Sequence, residues 1–388
     1  MGTANSRGSV GIVGGGIGGL AAAIALGQQG FEVTVLEQAE RFGRVGADIN
    51  LTPNAVRALD GLGVGDSLRE KGARPTYRIS RLWDSGAETS RLEMSDAAER
   101  QYGAPQLTLH RADLVAALDG RLPPGVVRFG QRVRAIDQDG DAAFVETQDG
   151  QRHRFDVVIG ADGIHSQVRA AMFGPDAPRF TGVVAYRAVV PVERVQVPNT
   201  DAFTKWWGPT PESQIVTFPL NRGRDIFIFA TTAQDDWRDE SWTLPGDVAE
   251  LRAVYAAFHP EARALLDACD TVLKTALYER DPMPVISQGR LTLLGDACHP
   301  MMPFMAQGAG MAIEDAVVLA RAIGAADGAT GMSEALQRYQ AVRTPRTARI
   351  QIGSRGNAWL REGGNADWVY GYDAWQTPLD TAPAAAVA

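Results

Sequence analysis

The chain has 388 residues, of which 45% are hydrophobic and 22% charged, so it offers material for roughly two or three domains and is neither disordered nor collagen-like in composition. Its formal net charge of -8 argues against nucleic acid as a partner, because phosphate binding requires a basic face. The two cysteines do not form a metal-binding motif, and the chain lacks both a leader-like segment and an apolar run of about 18 residues, so we expect a cytoplasmic protein outside the membrane.

The first predicted unit is a strand, a helix and a second strand. Residues 9–13 form an apolar strand, Gly14, Gly16 and Gly19 follow it, and an Ala- and Leu-rich helical stretch leads to a second apolar run that ends at Glu37. In such a unit the glycines let the backbone approach a pyrophosphate, and the terminal acid accepts hydrogen bonds from a ribose. The unit therefore predicts dinucleotide binding, and an acid at position 37 favours FAD or NAD over NADP.

The middle of the chain changes from helical to alternating patterns. A helix is predicted at 111–118 and strands at 144–146 and 156–159. Between about 181 and 230, apolar and polar residues alternate, which is typical of an antiparallel sheet. The predicted strands of that sheet, which is the candidate substrate domain, are 183–190, 215–219 and 226–230.

The last third returns to the pattern of the first. A buried strand is predicted at 291–294 and helices at 311–323 and 343–356, whereas the Ala- and Pro-rich tail after Thr377 is expected to be loose. We predict a mixed α/β fold in which a Rossmann-like dinucleotide-binding domain carries an inserted antiparallel-sheet domain. The predicted ranges are 1–75, 100–175 and 281–355 for the first domain, 76–99 and 176–280 for the second, and 356–388 for a C-terminal segment.

Two further motifs identify the dinucleotide. They are Gly-Ala-Asp-Gly-Ile-His-Ser-Gln-Val-Arg at 160–169 and Arg-Leu-Thr-Leu-Leu-Gly-Asp-Ala-Cys-His-Pro at 290–300, continued by Gln-Gly-Ala-Gly at 307–310. With the glycine loop, and in this order, they resemble the class A flavoprotein aromatic hydroxylases, the group around para-hydroxybenzoate and salicylate hydroxylases. The resemblance covers residues 9–350.

This resemblance implies a monooxygenase that uses FAD, reduced nicotinamide (NADH or NADPH) and O2 to hydroxylate a small aromatic substrate through a flavin C4a-hydroperoxide. It implies that Asp296 binds the ribityl chain, that Arg111 reaches FAD, and that Asp162 serves both FAD and the nicotinamide. From the residues alone, Asp162 could be only a turn residue, but Ser166 and Arg169 at matching offsets favour the functional role. The residues expected to bind FAD are Gly14, Gly16, Ile17, Gly19, Glu37, Gln38, Arg44, Arg111, Asp162, Gly163, Asp296, Gly308, Ala309 and Gly310.

The substrate pocket is expected where the alternating sheet meets the loop before Gly308. The catalytic candidates are Asn50, Tyr186, Thr217, His299 and Pro303, and the candidate substrate contacts are Asn50, Arg187, Trp207, Thr217, Phe218 and Pro303. His299 is interpreted either as a ligand of the substrate ring or as a structural group in its turn. Trp206 and Trp207 form a pocket wall or a core plug.

Within the family, Lys205-Trp206-Trp207, the 295–308 region and Trp-Val-Tyr-Gly-Tyr at 368–372 resemble the decarboxylating 6-hydroxynicotinate 3-monooxygenases. The chain departs from that group where Asp48-Ile49-Asn50 replaces Gly-Ile-His, and where Val216-Thr217-Phe218 occupies the region of a pocket tyrosine. A salicylate- or 3-hydroxybenzoate-type hydroxylase, a lipid or quinone hydroxylase or reductase, a halogenase and a catalytically idle flavoprotein remain alternatives. The chain is expected to be a monomer or a homodimer.

Overall fold

A computed structural model describes residues 7–43, 48–326, 331–361 and 365–380. Arg44, one of the predicted FAD ligands, lies outside these residues, as does the part of the predicted tail beyond residue 380. Among the described residues no helix is both long and apolar enough to cross a membrane.

The described chain contains 19 strands and 11 α-helices. The strands are β1 (Ser9–Val13), β2 (Glu32–Leu36), β3 (Ile49–Leu51), β4 (Tyr77–Leu82), β5 (Glu88–Glu93), β6 (Leu107–Leu109), β7 (Val127–Arg128), β8 (Val133–Gln138), β9 (Ala143–Thr147), β10 (Arg152–Phe155), β11 (Val157–Gly160), β12 (Arg179–Pro191), β13 (Phe203–Trp207), β14 (Gln214–Leu220), β15 (Asp225–Ala233), β16 (Pro245–Gly246), β17 (Val272–Glu279), β18 (Ser287–Gln288) and β19 (Leu291–Leu293). The helices are α1 (Ile17–Gln28), α2 (Pro53–Gly61), α3 (Gly65–Lys71), α4 (Ser95–Tyr102), α5 (Arg111–Asp119), α6 (Gln167–Phe173), α7 (Val248–Val254), α8 (Pro260–Asp267), α9 (Gly308–Gly324), α10 (Met332–Arg355) and α11 (Asp367–Tyr370).

One sheet carries the nucleotide-binding unit. Within the described chain its strand order is β18-β19-β11-β1-β2-β7, and its pairs are parallel except for β18 with β19. Parallel strands need both faces covered, which explains why Ile12, Val35 and Ile159 are fully buried. The sheet confirms the predicted strand–helix–strand unit and brings the ends of β1, β11 and β19 to one edge.

The second sheet has the order β16-β17-β12-β15-β14-β13-β4-β5 in the described residues. Its pairs are antiparallel, as predicted, except that β4 runs parallel to β13. The sequence prediction missed this pair because β4 comes from a segment more than 100 residues earlier in the chain, so local alternation gave no sign of it.

Side chains alternate between two faces of this sheet. The outer face packs on α7 and α8 and includes Val184, Tyr186, Trp206, Ile215, Thr217 and Ile228. The inner face is directed toward the loop at 300–306, where Val183, Ala185 and Leu277 pack with Met302 and Phe304. In the strand register, the inner face also carries Arg187, Lys205, Trp207, Val216, Phe218 and Phe229.

The helix predicted at 343–356 begins earlier than expected. The α10 helix starts at Met332 and continues through Pro345. Proline is tolerated in the first turn of a helix but costs about 3 kcal/mol in its interior, so Pro345 favoured a helix that begins close to it. The buried Arg343 anchors this stretch to α9 through two carboxylates, Glu314 and Asp315, so tertiary contacts override the local signal.

Candidate functional site

The glycine loop after β1 is shaped by close backbone contacts. Gly14 has a φ of 104°, and a Cβ at Gly19 would lie 2.0 Å from the Gly14 carbonyl oxygen. A Cβ at Gly16, in contrast, would meet no atom within 4 Å among the described residues. Gly14 and Gly19 thus maintain the turn, whereas Gly16 leaves space at the N-terminus of α1.

The Glu37 carboxylate is held beside this space. It accepts hydrogen bonds from the Gly15 N–H at 2.7 Å and from the Ala39 N–H at 2.8 Å. Both bonds fix the acid at the end of β2, where the ribose of a dinucleotide would lie. Next to it in sequence, Gln38 is exposed and Ile17 is buried at the start of α1.

A second helix N-terminus lies near the same edge of the sheet. Gly308 begins α9, and a Cβ there would meet no described atom within 4 Å. Asp296 is exposed directly after β19, and Arg111 is exposed at the first position of α5. The two open helix N-termini suit anionic or electron-rich groups, so the described residues fit a bound FAD.

Asp162 has a structural role that the sequence left open. Its carboxylate accepts hydrogen bonds from Ser166 Oγ at 2.5 Å, from the Gln167 N–H at 2.7 Å and from the Val168 N–H at 3.2 Å. The acid therefore caps the N-terminus of α6. Gly163 follows with a φ of 78°, a region that favours glycine. A role of Asp162 toward FAD or the nicotinamide stays a prediction.

His299 lies inside a buried network of charges. Its Nε2 is 2.5 Å from Asp315 Oδ2, and Arg343 binds Asp315 and Glu314, each at 2.7 Å. Burial disfavours the imidazolium, yet Cys298 and Asp315 beside the ring raise the pKa of His299 well above its usual value. The structural interpretation of His299 accounts for this arrangement. Although ligand atoms of Cys298, His299 and Asp315 lie within 4.8 Å of one another, the ion pairs already explain the cluster.

The predicted substrate residues divide between the two faces of the second sheet. Arg187, Trp207 and Phe218 lie on the inner face, toward the loop at 300–306. Tyr186 packs on the outer face with Tyr255 and Leu251, and Thr217 lines a small outer cavity with Arg81 and Trp206. The two tryptophans therefore differ: Trp206 is an outer core residue, and Trp207 belongs to the inner face.

Several buried polar atoms without a hydrogen-bond partner in the described structure are found on the inner face. They include Arg78 Nε, Ser80 Oγ, Arg187 Nε, Trp207 Nε1 and Gln214 Oε1. Two others, the Tyr186 hydroxyl and the Trp206 indole N–H, lie on the outer face. An unpaired buried polar group costs about 1–3 kcal/mol, so such a concentration indicates a surface that meets a polar ligand or water.

The loop at 300–306 faces this polar surface. Pro303 is exposed at the start of a 3-10 turn, Pro303–Met305, and Ala306 then adopts a φ of 54°. Asn50 lies on a different strand, β3, and accepts a hydrogen bond from Gln106 Nε2 at 2.6 Å. The Asn50 strand, β3, pairs with β6, and Thr108 on β6 bonds the Pro219 carbonyl of the second sheet at 2.6 Å.

Two charged groups at the inner face were not identified as site residues from the sequence. Burial raises the pKa of Asp48 to about 7, and the nearby Arg187 and Arg111 oppose that rise. Lys205 is buried with its ammonium 3.7 Å from the centre of the Trp207 ring. Alternation along the strand could have placed Lys205 and Trp206 on opposite faces of the sheet. The sequence alone, however, does not say which of the two faces lines the candidate site.

Comparisons with known proteins agree with this geometry. The chain matches the FAD binding domain family over residues 7–352. It is 40% identical over 373 residues to the 6-hydroxynicotinate 3-monooxygenase of Bordetella bronchiseptica, covering 95% of this chain and 96% of that protein. The salicylate hydroxylase of Pseudomonas putida is 33% identical, with coverage of 88% and 83%. The chain belongs to the class A FAD-dependent aromatic hydroxylases.

Solved structures of the family share the fold. A salicylate hydroxylase–substrate complex aligns with a TM-score of 0.83 and 26% identity, covering 96% of this chain and 97% of that one. Klebsiella pneumoniae HpxO with FAD and uric acid aligns with a TM-score of 0.80 and 27% identity, covering 93% and 90%. The predicted fold class, the FAD cofactor and aromatic monooxygenase chemistry are thereby confirmed.

Proposed function

We propose that this hydroxylase oxidises a small aromatic or N-heteroaromatic carboxylic acid that also carries a ring hydroxyl, using NADH or NADPH and O2. The observation that carries the proposal is the inner face, where unpaired polar atoms and the cations Arg78, Arg187 and Lys205 surround apolar side chains opposite the loop at 300–306. A flat ring with polar substituents and an acidic group matches such a surface. The 6-hydroxynicotinate 3-monooxygenases further support an N-heteroaromatic acid.

Bound FAD supplies the oxygen-transfer chemistry, and the chain supplies its position and surroundings. We propose that the Gly14–Gly19 turn and Glu37 hold the adenosine diphosphate part, and that Asp296 and the N-terminus of α9 hold the ribityl chain and ring. A helix N-terminus stabilises negative charge, so α9 favours the reduced, anionic cofactor. Ala309 and Gly310 continue that first turn.

The proposed substrate contacts are the inner-face residues Arg187, Trp207 and Phe218, together with Asn50 and Pro303 at the borders. Burial of the three inner-face side chains excludes water from the reacting ring, which protects a reactive oxygen donor from decomposition by water. Tyr186 and Thr217 are left out because their side chains lie on the outer face. His299 is left out because its ring is paired with Asp315.

The test is NADH and NADPH oxidation by the FAD-loaded protein with 6-hydroxynicotinate, salicylate and 3-hydroxybenzoate, with oxygen uptake and product mass recorded. We expect one ring acid to accelerate oxidation, with a product that gains one oxygen atom or exchanges its carboxylate for a hydroxyl. The second product would establish decarboxylation. If every ring acid leaves NAD(P)H oxidation at its basal rate, the proposed substrate class is wrong.

We also propose that the enzyme works in the cytoplasm as a monomer or a homodimer. All strands of the first sheet lie in the ranges 1–75, 100–175 and 281–355, and all strands of the second sheet lie in 76–99 and 176–280, which supports these domain limits. Sedimentation of the FAD-loaded protein over a range of concentrations tests the oligomeric state. A species larger than two chains would contradict the proposal.

A further inference from the structure

Lys205 is a buried cation with few partners. It is 3% exposed, and its Nζ donates a hydrogen bond to Asn357 Oδ1 at 2.5 Å. The ammonium also lies 3.7 Å from the centre of the Trp207 ring and 5.9 Å from that of Phe304. A lysine ammonium has three N–H groups that can donate hydrogen bonds. One of them is bound by a neutral amide oxygen, and the two aromatic rings accept no conventional hydrogen bond, so N–H groups remain that could donate to a ligand beside the 300–306 loop.

The charged neighbours of Lys205 are themselves cations. Arg78 and Arg361 act on it electrostatically, and Arg78 is also buried with its Nε unpaired among the described residues. Burial and these two cations lower the pKa of Lys205 well below its usual value. Buried charges are normally paired, so this corner of the inner face has a positive potential that an anion would relieve.

Arg187, a third inner-face cation beside Lys205 and Arg78, has a different setting. Its Nη2 donates to the Trp242 carbonyl at 3.0 Å, and both an acid, Asp48, and a second cation, Arg111, act on it electrostatically. An incoming carboxylate near Arg187 would meet Asp48, which repels it once ionised. The two ends of the inner face therefore differ in their charged neighbours: an acid acts on Arg187, whereas the charged groups that act on Lys205 are the cations Arg78 and Arg361, so the Lys205 end favours an anion more strongly.

We propose that Lys205 is the anchor for the carboxylate of the aromatic acid, with Asn357 and Trp207 positioning its ammonium. This inference rests on the proposed function and adds the group that recognises the acid. Across the sheet, Lys205 is followed in register by Val216, Phe229 and Arg187. Neighbouring strands are about 4.8 Å apart, so a carboxylate at Lys205 places the attached ring over Val216, facing Phe304.

The variants Lys205→Met and Lys205→Arg test the anchor. For each FAD-loaded protein, KM and the dissociation constant are measured for two acid–amide pairs, 6-hydroxynicotinate with 6-hydroxynicotinamide and salicylate with salicylamide. Loss of a buried charge pair of about 2 kcal/mol corresponds to roughly 30-fold, so K205M should weaken acid binding by at least about that factor. Amide binding should change by less than about threefold, and K205R should restore part of the preference for the acid.

Lys274→Met is the matched control. Lys274 is a second buried lysine of the same sheet, but it lies on the outer face and binds its own carboxylate, Glu250, at 2.8 Å. K274M should leave the acid-to-amide ratio unchanged. FAD content and Tm are measured for all variants, and the ratio is compared only among those that retain FAD.

The outcomes separate the anchor from the proposed function. If K205M weakens acid and amide equally, or leaves acid binding intact, the anchor assignment is wrong even when the wild type hydroxylates ring acids. If no acid stimulates NAD(P)H oxidation, yet acids bind more tightly than amides and K205M removes that preference, the anchor stands and the proposed reaction falls.

Discussion

At the residue scale, the glycines of the first loop have different structural roles. Gly19 permits a backbone contact, since a Cβ there would lie 2.0 Å from the Gly14 carbonyl oxygen, whereas Gly16 faces open space. We expect Gly19→Ala to disrupt the loop and lower Tm, because the clash is with backbone. Gly16→Ala should leave the Tm of the FAD-free protein within about 2 °C but weaken FAD binding at least tenfold, about 1.4 kcal/mol.

Flavin fluorescence titration and thermal unfolding of the FAD-free variants measure both effects. Gly27→Ala is a suitable control, because it also adds a Cβ to α1 in open space but lies at the opposite end of that helix. Equal FAD affinity for G16A and wild type would mean that the cofactor does not approach this glycine.

Asp48 makes the stability of the folded chain depend on pH. Burial raises its pKa to about 7, so between about pH 4 and 7 the folded chain keeps a proton that the unfolded chain loses, and stability falls as pH rises through that window. Asp48→Asn removes this titration. The Tm difference, D48N minus wild type, should therefore increase from pH 5 to pH 8 by at least about 2 °C.

Asp281→Asn is the control of opposite sign. Arg355 lowers the pKa of Asp281, so that carboxylate contributes its stability above its unfolded pKa and loses it in acid. D281N should therefore not gain Tm relative to wild type as pH rises. A D48N difference that is flat from pH 5 to 8 would show that Asp48 is ionised throughout.

Residue positions in strands also show where sequence prediction stops. Alternation predicted the strand containing Tyr186 and Arg187, but the choice of face requires the register with β15 and β17 and the position of α7 and α8. Adjacent residues therefore separated, with Arg187 inside and Tyr186 outside. The same parity separates Phe218 from Thr217 and Trp207 from Trp206.

At the scale of elements, the ion network between α9 and α10 explains both the length of α10 and the state of His299. The network joins Glu314 and Asp315 of α9 to Arg343 of α10 and to His299. Replacing His299 removes its buried contact with Asp315, which costs about 1–3 kcal/mol, whereas Arg343 and Arg346 still pair with Asp315 and Glu314. We expect His299→Gln to lower the free energy of unfolding by about 1–3 kcal/mol while kcat changes by less than about threefold.

Urea unfolding and steady-state hydroxylation measure this prediction. His153→Gln, on the separate sheet of β8, β9 and β10, is the control and should affect neither quantity strongly. A large loss of kcat in H299Q with unchanged stability would instead make the ring of His299 a participant in the chemistry.

Elements with strong local signals were predictable, and those defined by distant contacts were not. The glycine loop, β1, α5 and α9 follow from local apolar periodicity and turn residues. The parallel β4–β13 pair and the first part of α10 depend on contacts far away in the sequence, and no periodicity within one segment contains that information.

At the scale of the whole molecule, the C-terminal segment connects the loop at 300–306 and α9 to the second sheet. Val369, Tyr370 and Trp359 pack with Met305 of the loop at 300–306 and with Met311 of α9. On the sheet side, the Trp359 carbonyl accepts a hydrogen bond from the Arg78 guanidinium at 3.1 Å, and Asn357 Nδ2 donates to the Pro211 carbonyl at 2.6 Å. Residues 357–361 and 365–370 therefore contact both parts of the chain, although the sequence separated them as a distinct segment.

Truncation tests this connection. A chain ending at Gly356 loses the apolar cluster around Met305 and Met311 and the Asn357 partner of Lys205. Its Tm should fall by at least about 5 °C. Its FAD should also dissociate more readily, because the side chains of Met305 and Met311 become exposed to solvent. A chain ending at Asp380 is the control and should retain both properties.

The point variant Trp359→Ala should lower Tm less than the truncation while raising KM for the acid, since it loosens the segment that carries Asn357. If the chain ending at Gly356 keeps the Tm, FAD affinity and KM of the full chain, the C-terminal segment is not needed to join the two sheets, and the position of Lys205 must be fixed by the second sheet alone.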